Sequence, residues 1–119
     1  ATMMGKVFEG SLQQVRKAIR AGVPVLAGSD AGNPATFHGV SLIRELELLA
    51  QAGMPLNEVL RSATSRAADR LGQSSLGRIA AGAVADMVVL DADPTEHVDA
   101  YRAVASVYLG GRKLRIADR

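Results

Sequence analysis

Residues 23–30 read VPVLAGSD, an apolar run closed by Gly28, Ser29 and Asp30. Its length and composition predict a strand buried on both faces, as in parallel sheets that carry helices on either side. Pro24 is compatible with a strand only at its beginning. Residues 25–28 therefore call for parallel neighbours, and nowhere else does the chain offer a second strand of that kind. An unpaired apolar strand between two helices reads as one βα unit of a larger parallel array. A closed array of such units takes roughly 250 residues, so the 119 residues of this chain read as a fragment.

The flanking segments have helical period. In SLQQVRKAIRAG, Leu12, Val15 and Ile19 share a face, with Ser11 as the expected N-cap and Gly22 in the usual C-terminal position. After the loop GNPATFHG, the segment SLIRELELLAQAG sets Leu42, Leu46 and Leu49 in one stripe and stops at Gly53. PLNEVLRSATSRAADRLG aligns Leu56, Leu60, Ala63, Ala67 and Leu71, with Thr64 and Ser65 as the place where it breaks in two. Beyond Gly72 the pattern becomes glycine-rich. A short strand is expected at 87–90, bracketed by Asp86 and Asp91, and RAVASVYLGGRKLRI reads as two strands about Gly110 and Gly111.

Composition narrows the functional classes. At 48% hydrophobic and 22% charged, the chain is that of a soluble globular unit. With no cysteine, disulfides and thiolate metal sites are excluded, leaving His, Asp and Glu as possible ligands. A cytoplasmic location fits this usage. No run of about twenty apolar residues is present, so no membrane partner is expected. The pI is 9.4, yet the net charge is only +2 and fourteen basic residues are interspersed among twelve acids. With four Phe and Tyr and no Trp, there is little to stack on bases, and no nucleic-acid partner is expected.

Asp30 is the residue with a chemical address. At the C-terminal end of a strand in a parallel α/β array, a carboxylate can ligate a divalent ion and exchange a proton with a reacting group. Ser-Asp-Ala-Gly is equally good turn chemistry, in which Asp30 would serve only the loop. His38 has two readings as well, a plain loop histidine near a helix start or a group lining the substrate pocket. His97 lies in a different predicted unit and reads as surface. Asp86, Asp91 and Asp93 lack the spacing of a calcium loop and read as turn residues. The glycines follow no phosphate-binding pattern. Glu45 and Glu47, two apart on one helix, do not share a face and read as surface or flank positions.

Taken in order, LAGSDAG, HG, ELELLAQAGMPLNEVLRSAT, AADRLG, LGRIAAGAVADMVVLDADP and VYLGGRKL resemble the C-terminal part of the amidohydrolase superfamily, in its imidazolonepropionase-like and prolidase-type branch. The resemblance runs from Ser11 to Leu114. It implies a fold of class α/β: the C-terminal part of a (β/α)8 TIM-like barrel over residues 1–76, followed by part of a small β domain over 77–119. It also implies a metal-dependent hydrolase acting on the carbon–nitrogen bond of an amide, cyclic amide or dipeptide, a small-molecule substrate in each case. The cofactor would be a divalent metal, commonly zinc. Asp30 matches the family aspartate that serves as metal ligand and proton shuttle, and Ser29 stands where the family often has threonine. The remaining family ligands would all lie upstream, so the fragment alone is expected to be inactive and to need the missing N-terminal barrel or self-association. The alternative is an autonomous, non-catalytic α/β binding or interaction module.

Overall fold

The computed structural model describes residues 2–115, which form four helices, a 3-10 helix and a three-stranded sheet. The end of the segment expected to form the second hairpin strand, at Ile116, lies outside the described residues. Helix α1 (Met3–Arg20) starts well before the expected Ser11. Thr2 caps it by accepting from the Gly5 N–H, whereas the Ser11 hydroxyl donates back to the Val7 carbonyl. That is the bond a serine makes inside a helix when it is not capping one. Gly22, with φ of +72°, ends it as expected.

Residues 23–30 then cross the helical layer with every second side chain turned inward: Val25, Ala27 and Ser29 are half-buried while Leu26, Gly28 and Asp30 are exposed. This is strand-like alternation, yet the run joins no ladder among the described residues. Only one of its faces is covered, a correction to the expectation of burial on both. Leu26 is left 38% exposed because no second layer lies over it.

Helix α2 (Val40–Gln51) supplies the centre of the core. Leu46 and Leu49 pack with Met54 and Val59, and Val15, Ile19, Val25, Ala27, Ala63 and Tyr101 close around them. Each fully buried aliphatic of this kind contributes about 1.5–3 kcal/mol. Leu42, expected in the same stripe, stays 37% exposed at the start of α2.

Helices α3 (Leu56–Ser62) and α4 (Ser65–Arg70) are separated where Thr64 and Ser65 were expected to break the segment. The Ser62 hydroxyl donates to the Val59 carbonyl and the Thr64 hydroxyl to the Leu60 carbonyl, both at 2.7 Å. Such back-bonding competes with the helical ladder and bends it. The break rotates the buried face: Val59, Ser62 and Ala68 are buried, while Leu71 is 76% exposed. Gly77 explains how the next segment folds over the break, since a Cβ there would lie 2.5 Å from the Thr64 carbonyl carbon and oxygen.

The sheet consists of β1 (Met87–Leu90), β2 (Val104–Leu109) and β3 (Arg112–Lys113), antiparallel in that order. Met87 faces Tyr108, and the register slips between Val89 and Leu90. Gly110 and Gly111 have φ of +56° and +77°, the pair of positive values that a two-residue hairpin turn requires. Between β1 and β2 the 3-10 helix Val98–Arg102 lies against α2. It delivers Tyr101 to the core with its hydroxyl enclosed and without a hydrogen-bond partner among the described residues. Burial pushes that phenol above its ordinary 10.0.

Candidate functional site

Residues 23–30 are tied to α3 near their end. The Ala27 N–H donates to the Ser62 carbonyl at the end of α3, at 3.3 Å. This donor, which a sheet would ordinarily satisfy, finds its acceptor on a helix instead.

Asp30 leaves this grip exposed, with φ of +48°. Aspartate is among the few residues that enter the left-handed region readily, and its loop holds it there. Asn33 Nδ2 donates to Asp30 Oδ2 at 2.7 Å and to its main-chain carbonyl at 3.1 Å. The Thr36 hydroxyl donates to that carbonyl at 3.2 Å. None of these bonds uses Oδ1. The carboxylate is thus oriented by its turn and still presents an oxygen outward. Loop chemistry and an available carboxylate coexist at Asp30.

Glu45 takes the flank position that sequence reasoning allowed for it, not the surface one. It is half-buried, and burial raises its carboxyl above 4.5 while the Gly28 N–H opposes that rise. The signal was present in the sequence, because Glu45 directly precedes Leu46 and so borders the buried stripe of α2.

His38 is exposed in the turn before α2, at the other end of the loop from Asp30. No group of three or more His, Asp or Glu able to hold a metal is formed among the described residues. The described donors therefore do not compose a metal site by themselves. The acidic residues near the sheet are turn clamps. Asp86 Oδ1 accepts from the Gly110 N–H at 2.7 Å, and Asp93 Oδ1 accepts from the Thr95 N–H at 2.8 Å and its hydroxyl at 2.6 Å. The Thr95 hydroxyl and N–H hold the Asp93 carboxyl below its ordinary 3.8. An open groove of about 410 Å³, lined by Ile19, Val23, Pro24, Met54, Glu58 and Arg66 among others, lies at the beginning of residues 23–30 and not at Asp30. Among the described residues no helix is long and apolar enough to cross a membrane.

Residues 7–114 match the sequence model of the Amidohydrolase family. The chain is 43% identical over 79 residues to an adenine deaminase from Klebsiella pneumoniae (strain 342), which covers 66% of this chain and 12% of that protein. It is 50% identical over 50 residues to an adenine deaminase from Serratia proteamaculans (strain 568), covering 42% of this chain and 8% of that one. Among solved structures it superimposes on a Xaa-Pro dipeptidase with bound methionine in the active site. That match has a TM-score of 0.79 and 30% identity, over 87% of this chain and 25% of the dipeptidase. The chain thus spans a small part of each of these relatives.

Proposed function

This chain belongs to the amidohydrolase family, and from that premise we propose that it is the C-terminal part of a metal-dependent hydrolase cleaving carbon–nitrogen bonds in small amide-type substrates. In this reading residues 23–30 are the last strand of a TIM-like barrel. Residues 1–76 complete that barrel and 77–119 contribute to a small β domain. The reading is supported by an alternating, half-covered run that joins no sheet among the described residues, together with the likeness to the dipeptidase over a quarter of its chain.

Asp30 is the group this chain contributes to the chemistry. Its exposed carboxylate takes a proton from the attacking water and returns it to the leaving nitrogen, and it is one ligand of the divalent ion, zinc, that the family's chemistry employs. When bound, such an ion polarises the carbonyl and acidifies water. Its other ligands come from outside the described residues, which offer no cluster that holds it. The chain alone is therefore inactive and needs the rest of its barrel, or self-association, to cover the open face of residues 23–30. His38 lines the substrate side of the loop. The names of the relatives, an adenine deaminase and a Xaa-Pro dipeptidase, have carbon–nitrogen cleavage in common, and the substrate is drawn from that range.

The observation that carries this reading is the exposed Asp30 carboxylate at the end of a run tied to α3 and oriented by Asn33. It is tested in the full-length protein with Asp30→Asn, assayed on Xaa-Pro dipeptides and on adenine. Turnover falls by about a hundredfold or more, as for loss of a positioned proton-transfer group, with the fold retained by circular dichroism. Undiminished turnover would reduce Asp30 to a turn residue and favour the non-catalytic module.

A further inference from the structure

We infer that Asn33 is a positioning residue for Asp30, locking the carboxylate through Oδ2 so that Oδ1 is the oxygen that handles the proton. The inference rests on the assignment of Asp30 as the proton-handling carboxylate. At its centre is one nitrogen carrying two hydrogens. Asn33 Nδ2 donates to Asp30 Oδ2 at 2.7 Å and to the main-chain carbonyl of the same residue at 3.1 Å. An exposed aspartate ordinarily moves among staggered rotamers. Here a single donor spans both ends of the residue, so turning Asp30 about its Cα–Cβ bond breaks the contact to the carboxylate. The shorter of the two bonds is the one to the carboxylate, as expected where the acceptor is charged. Asp30 also stands at φ of +48°, a conformation that persists where the surroundings impose it, so main chain and side chain are held from one point.

The loop has other bonds to close it. The Thr36 N–H donates to the main-chain carbonyl of Asn33 at 3.1 Å, and the Gly32 N–H donates to the Thr36 carbonyl at 3.4 Å. The Thr36 hydroxyl lies 2.8 Å from the same Asn33 carbonyl. None of these three bonds uses the Asn33 side chain. An asparagine serving only as a turn former is replaceable by aspartate, which suits the same turns. An asparagine that aims Asp30 is not, because an ionised aspartate has no hydrogen to donate and small misplacements of a reacting group are expensive in rate.

The test uses the full-length protein with Asn33→Ala and Asn33→Asp, each alone, and with Asn33→Ala combined with Asp30→Asn. On a Xaa-Pro dipeptide or adenine, kcat falls about tenfold or more in both single variants, with KM within about twofold. Residues that act as a unit are non-additive, so adding Asn33→Ala changes the residual rate of Asp30→Asn by less than about twofold. In a crystal of Asn33→Ala grown without metal, the Asp30 carboxylate takes more than one orientation. Full kcat in either single variant that folds by circular dichroism, while Asp30→Asn is impaired, overturns the inference. An Asp30 carboxylate that keeps its one orientation in the Asn33→Ala crystal overturns it too, as does a second tenfold fall in the double variant. Full turnover in Asp30→Asn is a different result, striking down the assignment of Asp30 itself and this inference with it.

Discussion

Arg102 reaches Glu47 from fifty-five positions away in sequence, with Nη2 at 2.6 Å and Nε at 2.7 Å from the same oxygen, Oε1. Arg44 takes Oε2 of that carboxylate from within α2 at 3.1 Å. One glutamate thus ties the 3-10 helix before β2 to the helix that carries the core. Burial acts to raise the Glu47 carboxyl, but hydrogen bonds and charge from Arg102 and Arg44 outweigh it and hold the group below 4.5.

The sign of the pH effect follows. A depressed carboxylate stabilises the fold above its unfolded value, and that contribution is lost as pH falls through the lower, folded value. Arg102→Ala and Glu47→Gln should each cost up to about 1 kcal/mol near neutrality, the scale of a partly exposed pair. Glu47→Gln should also flatten the decline in stability below pH 4.5. Urea titrations at several pH values check both.

Gly77→Ala should be more damaging than an ordinary glycine substitution. Its φ is +67° and the added Cβ would meet the Thr64 carbonyl at 2.5 Å, whereas Gly72, at φ of +69°, has open space around it. Gly72→Ala should cost about 1 kcal/mol for backbone strain alone. Gly77→Ala should cost clearly more, and the difference between the two melting temperatures measures the clash.

Val59, fully enclosed at 0% exposure, is the most sensitive core position. Val59→Ala should destabilise by about 2 kcal/mol through lost burial and the void left behind. Leu71→Ala, at a residue 76% exposed, should stay within about 0.5 kcal/mol. Chemical denaturation of the pair separates the two faces of the α3–α4 segment.

The 119-residue chain should retain no zinc after desalting and hydrolyse no amide substrate, because a catalytic ion needs about three converging protein ligands and the described residues bring no such group together. Metal analysis of the desalted protein checks this, and stoichiometric zinc would contradict it.

Much of this architecture is legible in the sequence because local rules govern it. Gly22 and Gly53 end helices where their positive φ is needed, Thr64 and Ser65 mark the break between α3 and α4, and the paired glycines turn the hairpin between β2 and β3. The strand at Met87–Leu90 stands where its apolar run does. What escaped depends on neighbours. Leu71 fits the helical period of its segment, but the break at Thr64 turns it outward. Ser11 has the chemistry of a cap, but Thr2 already provides one. Asp30 was singled out by its position after an apolar run, and the bonds from Asn33 and Thr36 that orient it depend on the loop's path, which residue spacing does not fix.

Tyr101 gives this core a kinetic asymmetry. Its partners Leu46, Leu49, Met54 and Val59 lie within one helical stretch, whereas Tyr101 comes from the far side of a strand and a long connection. Contacts that close long loops lose more chain entropy before they form. The helical cluster should therefore assemble first, with the ring docking after the rate-limiting step. In a chevron plot, Tyr101→Ala moves the unfolding limb and leaves the refolding limb in place, the behaviour of a side chain that forms its contacts late. Tyr101 thus acts as a latch on the rate of opening, and its loss shortens the lifetime of the native state without slowing the route into it.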